Sequence, residues 1–315
     1  MKSGNAIRIG TRRSPLALYQ AELIASEIER VSEGAFTGEI VTFTTKGDQL
    51  TSERLINSGG KGLFTREIDR AVDVGDVDIG VHSLKDVPSL LPPGQDLIAF
   101  PKRVDPRDGF LTTNGIQRLQ DLPEGAVLGT ASLRRESQAL ALRPDLKVVP
   151  FRGRVETRIE KLERGEADAT FLAMAGLIRL GLDHLASPVP SSDLLPAAGQ
   201  GIIAVAARPD ALSDEMRQVF DQIDDPATRA MATAERAFLA ELDGSCRTAM
   251  AAQLQSVSGA WQMRGEVLTP EGQTKWTAQA EALVSTSLGD LAKLGTSLAE
   301  SIRAQAGGDL PVFTD

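Results

Sequence analysis

The chain has 315 residues, 42% hydrophobic and 4% aromatic, with a formal net charge of -9. That length suggests two or three domains with aliphatic cores, and the acidity argues against a broad surface for nucleic acid or anionic membrane. A single cysteine, Cys246, excludes an intrachain disulfide and a thiol-ligated cluster, and two histidines, His82 and His184, argue against a multi-histidine metal site.

Residues 6–10 alternate and read as a strand. Residues 14–31 carry Leu16, Leu23, Ile24, Ile28 and Val31 at helical spacing, with Ser14 as N-cap and Pro15 at the first helical position, where its missing N–H is not needed. Thr11-Arg12-Arg13-Ser14-Pro15-Leu16 has a faint twin-arginine look, but Gln20, Glu22, Glu27 and Glu29 interrupt any apolar export core. No run of about 18 uncharged apolar residues occurs, so no membrane span and a cytoplasmic location are expected. A strand over 39–45, a loop at Gly59-Gly60-Lys61-Gly62, a helix over 64–74 and a strand over 78–82 complete a β-α-β-α-β order, which predicts a largely parallel sheet.

The pattern breaks at 101–107, read as a crossing between domains. A second series follows: strand 127–130, helix 132–142, strand 147–151, helix 155–164, strand 169–173 and a short helix 175–180. Residues 188–196 form a return loop, and 201–207 read as a strand rejoining the first domain. An amphipathic helix over 228–242, a loop with Gly244-Ser245-Cys246, three short strands and a helix over 288–304 make a small α+β unit. Two similar α/β units with a hinge predict a cleft at the carboxyl ends of strands, a common place for ligands.

The arginines concentrate there. Arg12 and Arg13, Arg134 and Arg135, and Arg152, Arg154 and Arg158 follow predicted strands or start helices. Guanidinium forks pair carboxylates in two-pronged fashion, helix N-termini add free N–H groups, and Thr130 and Ser132 offer hydroxyls. Together they suggest a polycarboxylate receptor, although single surface arginines are usually just solvated. Lys85 and Asp86 sit where a strand ends before Pro88; they suit charge stabilisation and proton transfer, or simply a capped turn. Cys246 has Gly244 and Arg247 nearby, which fits a thiol of lowered pKa, or an inert buried one. The Gly59–Gly62 loop lacks the Ser/Thr and first Gly of a P-loop, no G-x-G-x-x-G follows a strand, and no G-x-S-x-G supports Ser83 as a hydrolase nucleophile.

Taken in order, Gly10 through Ala17, the Gly-Gly-Lys-Gly-Leu-Phe run ending at Phe64, Val81 through Pro88, Gly129 through Arg135, Phe151-Arg152-Gly153-Arg154, Pro196 through Gly201 and Glu235 through Cys246 resemble the porphobilinogen deaminase family. The resemblance implies an α/β fold of two solute-binding-protein-like lobes with a cleft, plus a small C-terminal α+β domain. It places domain 1 at 1–101 with 202–221, domain 2 at 107–196 and domain 3 at 226–315. It implies a monomeric cytoplasmic transferase of tetrapyrrole and heme biosynthesis that condenses four porphobilinogen molecules, with loss of ammonia, and then releases hydroxymethylbilane by hydrolysis. Its cofactor is a dipyrromethane held by a thioether, and Cys246 matches the anchoring cysteine. Asp86 matches the catalytic aspartate, with Lys85 beside it. Ser83, Lys85, Asp86, Thr130, Ser132, Arg134, Arg135 and Arg158 match cofactor-binding positions, and Arg12, Ser14, Phe64, Arg152 and Gln200 substrate-binding ones. Two positions depart from the family: Ala249 stands where Pro is usual, and Asn57 where Lys is common. A non-catalytic two-lobed carboxylate receptor is the competing reading; it would need neither Asp86 nor a placed thiol.

Overall fold

The computed structural model describes residues 5–49, 62–242 and 249–310. Its contacts divide the chain into two compact units: 5–49, 62–104 and 201–229 in the first, and 105–200, 230–242 and 249–310 in the second.

The first unit opens with β1 (Ala6–Arg12), α1 (Pro15–Val31), β2 (Thr37–Phe43), α2 (Lys46–Gln49), α3 (Arg66–Asp73), β3 (Ile79–Ser83) and β4 (Asp96–Ala99). The Ser14 hydroxyl accepts the Ala17 N–H at 3.3 Å and Pro15 takes the first helical position, so α1 starts as its sequence predicts. Its buried stripe of Ala17, Gln20, Ala21, Ile24 and Ile28 follows the helical repeat. Ile24 and Ile28 join Ile7, Ile9, Ile79 and Val81 in one apolar core. Strand β1 runs parallel to both β2 and β3.

The second unit continues with β5 (Asp108–Thr112), β6 (Val127–Gly129), α4 (Leu133–Leu142), β7 (Lys147–Val149), α5 (Val155–Glu163), β8 (Ala169–Ala173), α6 (Met174–Arg179) and β9 (Ser187–Pro188). Alternation along the strands separates two cores: Phe110, Leu128 and Phe171 pack on one face, and Leu111, Phe151, Leu172 and Leu177 on the other. Gly129 has no room for a side chain, since a Cβ there would lie 2.6 Å from the Phe151 ring.

The chain then returns to the first sheet as β10 (Ile203–Ala207), followed by α7 (Asp214–Ile223) and α8 (Pro226–Glu241). Strands β11 (Met250–Val257), β12 (Ala260–Leu268) and β13 (Lys275–Leu283) form an antiparallel meander, closed by α9 (Leu288–Ala306). Phe238 of α8 and Leu298 and Ile302 of α9 pack on Met263 and Val267 of that sheet.

Three expectations are corrected. The two larger sheets are mixed, not largely parallel: their orders are β2-β1-β3-β10-β4 and β7-β6-β8-β5-β9, with β10 and β5 antiparallel to their neighbours. A strand returning from a long excursion has no crossover helix to force it parallel. The second strand ends at Phe43, two residues before its expected limit. Strands β4 and β5 and helix α7 were not foreseen; β4 and β5 have only 4 and 5 residues, too few to establish a period.

Candidate active site

In the first unit, parallel β1, β2 and β3 bring their carboxyl ends to one edge of the sheet, the usual position for ligand-binding groups in α/β folds. Arg12 is the last residue of β1, Asp48 follows β2, and beyond β3 a single 3-10 turn, Leu84–Asp86, presents Lys85 and Asp86 half-buried. The Leu84 N–H donates to the Ile202 carbonyl at 2.9 Å, which pins this turn to the strand beside it. His82 and Ser83 face opposite sides of β3. Ser83 Oγ meets Gln20 Nε2 of α1 at 2.9 Å, while His82 Nε2 lies 3.5 Å from Asp69 Oδ1 of α3. Burial, reinforced by the Arg12 charge, pushes the His82 imidazole down to about 4, so it is neutral at physiological pH.

Arg12, expected as a substrate contact, already has a carboxylate partner. Its guanidinium pairs with Asp48 at 2.5 Å and stacks on the Phe64 ring at 4.4 Å from the centroid. Burial opposes ionisation of Asp48, but Arg12 and the Thr45 hydroxyl and N–H outweigh it and hold the carboxyl below its usual range. Ser14, likewise expected at the substrate, is the N-cap of α1.

The second unit gathers the other arginines at the carboxyl ends of β6 and β7. Thr130 is buried; its Oγ1 accepts the Ser132 N–H at 3.1 Å, and Ser132 occupies the N-cap position without capping α4 through its own hydroxyl. Arg134 and Arg135 are buried in the first turn of α4. Between them lies Asp108, the first residue of β5, with no solvent exposure. Asp108 Oδ1 accepts Arg135 Nη2 and Nε at 2.7 and 3.1 Å and Gln200 Nε2 at 3.0 Å; Oδ2 lies 2.8 Å from Arg134 Nη2. Burial would raise the Asp108 pKa, but the two guanidiniums dominate and hold it far below the carboxylate range. Further bonds lock the arginine planes: Arg134 Nη1 to the Leu195 carbonyl and Arg135 Nη1 to the Phe171 carbonyl, both 2.8 Å.

Arg158, on α5, differs. Its Nε is buried and has no hydrogen-bond partner. Burial first, and then the like charge of Arg135, push its pKa down to about 9, so it remains charged at neutral pH at an energetic cost. One carboxylate shared by Arg134 and Arg135, with a third guanidinium left under-satisfied beside them, is the electrostatic signature of an anion site. Arg152 is half-buried after β7, in the turn that leads to α5.

Several site residues were not foreseen. Asp108 follows a proline-rich crossing that reads as linker; its signal would have been an acidic residue opening a short apolar run. Gln20 is a polar residue on the buried stripe of α1. Glu235, with no exposure, accepts the Gly199 N–H at 2.7 Å and the Leu254 N–H at 2.8 Å, and so fixes the segment that ends in Gln200. Glu266 on β12 is buried, with Lys275 Nζ 3.5 Å from its Oε2; burial raises its pKa against the pull of Lys275 and Arg134. Cys246, Lys61 and Asn57 lie outside the described residues. Ala249 is buried against Leu133 and Leu268.

Residues 7–215 match the family model described as porphobilinogen deaminase, dipyromethane cofactor binding domain, and residues 230–304 match the porphobilinogen deaminase C-terminal domain. Among curated relatives, the porphobilinogen deaminase of Nitrobacter winogradskyi is 44% identical over 301 residues, covering 95% of this chain and 93% of that protein. That of Paracoccus denitrificans is 43% identical over 312 residues, covering 97% and 96%. Among solved structures, a TRAP periplasmic solute binding protein from Desulfovibrio salexigens superposes with a TM-score of 0.44 at 13% identity, over 70% of this chain and 72% of that one.

Proposed function

Because the chain belongs to the porphobilinogen deaminase family, we propose that it condenses four porphobilinogen molecules in sequence, releasing ammonia at each step, and hydrolyses the product to hydroxymethylbilane. The observation that carries this reading is the pair of buried guanidiniums, Arg134 and Arg135, sharing the carboxylate of Asp108, with the like charge of Arg158 close to Arg135. Each pyrrole of the substrate carries an acetate and a propionate, so every condensation adds two negative charges. An excess of guanidinium charge in an otherwise acidic protein offsets that charge where it accumulates, at about 1.5–3 kcal/mol for each good charged hydrogen bond.

The same cluster fits a dipyrromethane cofactor, itself a tetracarboxylate. Thr130, Ser132, Arg134, Arg135 and Arg158 would hold its carboxylates, and Ser83, Lys85 and Asp86 its pyrrole end. Cys246 would anchor it through a thioether. When bound, the cofactor supplies the nucleophilic terminal pyrrole. Asp86 stabilises the positive charge that develops on porphobilinogen as ammonia leaves, hydrogen-bonds the pyrrole N–H and moves the protons of each step. Lys85 orients a substrate carboxylate and sets the field around Asp86. Arg12, Phe64, Arg152 and Gln200 contact incoming substrate. For Arg12 that role requires sharing the guanidinium with Asp48, and for Gln200 sharing the amide with Asp108.

Three domains follow from this reading: 1–101 with 202–221 for the acid, 107–196 for the arginines and 226–315 for the thiol. In support, each range contains one of the three sheets. We also take the enzyme to be a cytoplasmic monomer; no described helix is long and apolar enough to cross a membrane. Intact-protein mass tests the central claim. The purified chain should exceed its sequence mass by one dipyrromethane, and Cys246→Ser should abolish the excess. A wild-type mass equal to the bare chain, with no pyrrole colour reaction, refutes the reading.

A further inference from the structure

Helix α4 makes three separate attachments, one along each of three adjacent stripes. Residues i, i+4 and i+8 share a face, and each step of one residue turns that face by about 100°. Arg134 and Gln138 form one stripe: Gln138 Nε2 donates to the Leu195 carbonyl at 2.9 Å and its Oε1 accepts the Leu195 N–H at 2.6 Å, beside the Arg134 bond to the same carbonyl. Arg135 and Ala139 form the second, facing Asp108 and the core of their own sheet. Leu133, Ser137 and Ala141 form the third, which meets the C-terminal sheet and its β12–β13 turn.

That third contact is close. Leu133 packs on Leu268 and Ala249. Ser137 Oγ donates to the Pro270 carbonyl at 2.9 Å. Pro270 lies in the turn between β12 and β13, which is closed by Gly272 N–H to the Thr269 carbonyl at 2.9 Å. Gly272 lies directly against the backbone of α4: a Cβ there would be 2.3 Å from the Ser137 carbonyl oxygen and 2.6 Å from the Ala141 nitrogen. Its φ of +70° independently disfavours any other residue. On the same outward face of β12, Arg264 Nη1 donates to the Ser191 carbonyl at 3.3 Å.

We propose that the turn around Gly272 is a positioning element for the reaction: it sets the depth and rotation at which α4 presents Arg134 and Arg135, and Gly272 and Ser137 are its positioning residues. The proposal rests on the reading that those arginines grip the carboxylates of the cofactor and of the chain that grows on it, and so set where the next porphobilinogen can be accepted. A rigid helix converts displacement of one stripe into displacement of the others, and the Asp108 fork tolerates only a few tenths of an ångström. The turn belongs to the same sheet that receives the chain at Ala249, three residues past Cys246 in sequence, since Leu268 N–H donates to the Ala249 carbonyl at 3.0 Å. The segment just past the cysteine and the seat of the arginines are therefore parts of one packed body.

The test compares two glycines of this sheet. Gly259, in the turn between β11 and β12, also has a positive φ, +83°, but has nothing within 4 Å of a Cβ. Gly259→Ala therefore imposes backbone strain without contact, and Gly272→Ala imposes strain plus collision with α4. Holoenzymes carrying Gly272→Ala, Ser137→Ala, Gly259→Ala or Arg134→Leu would be compared for kcat and KM, thermal midpoint and hydrogen exchange of the α4 amides. Gly272→Ala, and more weakly Ser137→Ala, should raise KM for porphobilinogen several-fold with kcat less affected, and should accelerate exchange in α4. Gly259→Ala should lower the thermal midpoint alone. If Gly272→Ala matches Gly259→Ala in KM and α4 exchange while Arg134→Leu raises KM, the positioning role is wrong and the arginine reading stands. If Arg134→Leu leaves KM unchanged, the arginine reading itself falls. If Gly272→Ala does not fold, Ser137→Ala decides, and an unchanged KM and α4 exchange in that variant overturn the proposal.

Discussion

Asp108 divides its two carboxylate oxygens between two arginines. Oδ1 takes both Arg135 Nη2, at 2.7 Å, and Arg135 Nε, at 3.1 Å, which leaves Oδ2 for Arg134 at 2.8 Å. None of the carboxylate is exposed to solvent. The pair of arginines thereby keeps one net positive charge while its planes stay fixed.

Asp108→Asn should destabilise the protein by about 3–5 kcal/mol, because an amide removes the charge and points N–H groups at a guanidinium. Urea unfolding measures this, and a loss below about 1 kcal/mol contradicts the hub role. The wild-type contribution has a defined pH window. The folded pKa lies below the unfolded one, so the stabilisation is complete above the ordinary carboxylate range and disappears only as pH falls through the depressed folded value.

Asp86→Asn should retain the cofactor mass while turnover falls by at least about a hundredfold, the range expected for loss of a charge-stabilising acid–base group. Single-turnover kinetics with intact mass as a second readout distinguishes failed chemistry from failed assembly. Bilane formation at the wild-type rate removes Asp86 from the mechanism.

Arg158→Gln, made in a Cys246→Ser background so that no cofactor is attached, should leave the protein as stable as its parent or more stable by on the order of 1 kcal/mol, because a desolvated guanidinium with an unbonded Nε beside the like charge of Arg135 is relieved. The same substitution in the otherwise wild-type chain should raise KM. A site kept for an anion shows this opposition between stability and binding. Equal destabilisation in both backgrounds assigns Arg158 to structure.

His82 and Asp69 make opposite contributions in acid. Between pH 6.5 and about 4 the unfolded chain binds a proton that buried His82 refuses, so stability falls as pH falls. Asp69, raised to about 6 chiefly by burial, keeps its proton between pH 3.8 and 6 while the unfolded chain ionises, so stability rises as pH falls. The wild type should be nearly flat from pH 6 to 4. His82→Leu should gain stability toward pH 4, at up to about 1.4 kcal/mol per pH unit. Parallel wild-type and variant profiles contradict the assignment.

Much of the fold was legible from local pattern. Ser14 and Pro15 marked the start of α1 because capping is a matter of neighbouring residues, and the strand at 169–173 agrees with β8 at both ends. The mixed sheets were not legible, because the direction of β10 depends on where the chain returns and not on its own composition. At the site, the arginine segments and the Lys85–Asp86 turn stood out as charges at strand ends. Their partners did not: Asp48 for Arg12, Gln20 for Ser83, Asp108 for Arg134 and Arg135.

Residue types within a few positions of one another therefore determined the helices, most strands, the family motifs and the identity of the charged groups. The tertiary structure alone decided which of those charges are neutralised. Asp108 reaches Arg135 across 27 positions and Gln200 across 92, and the cost of burying a charge is a property of everything that displaces water around it, not of its neighbours along the chain.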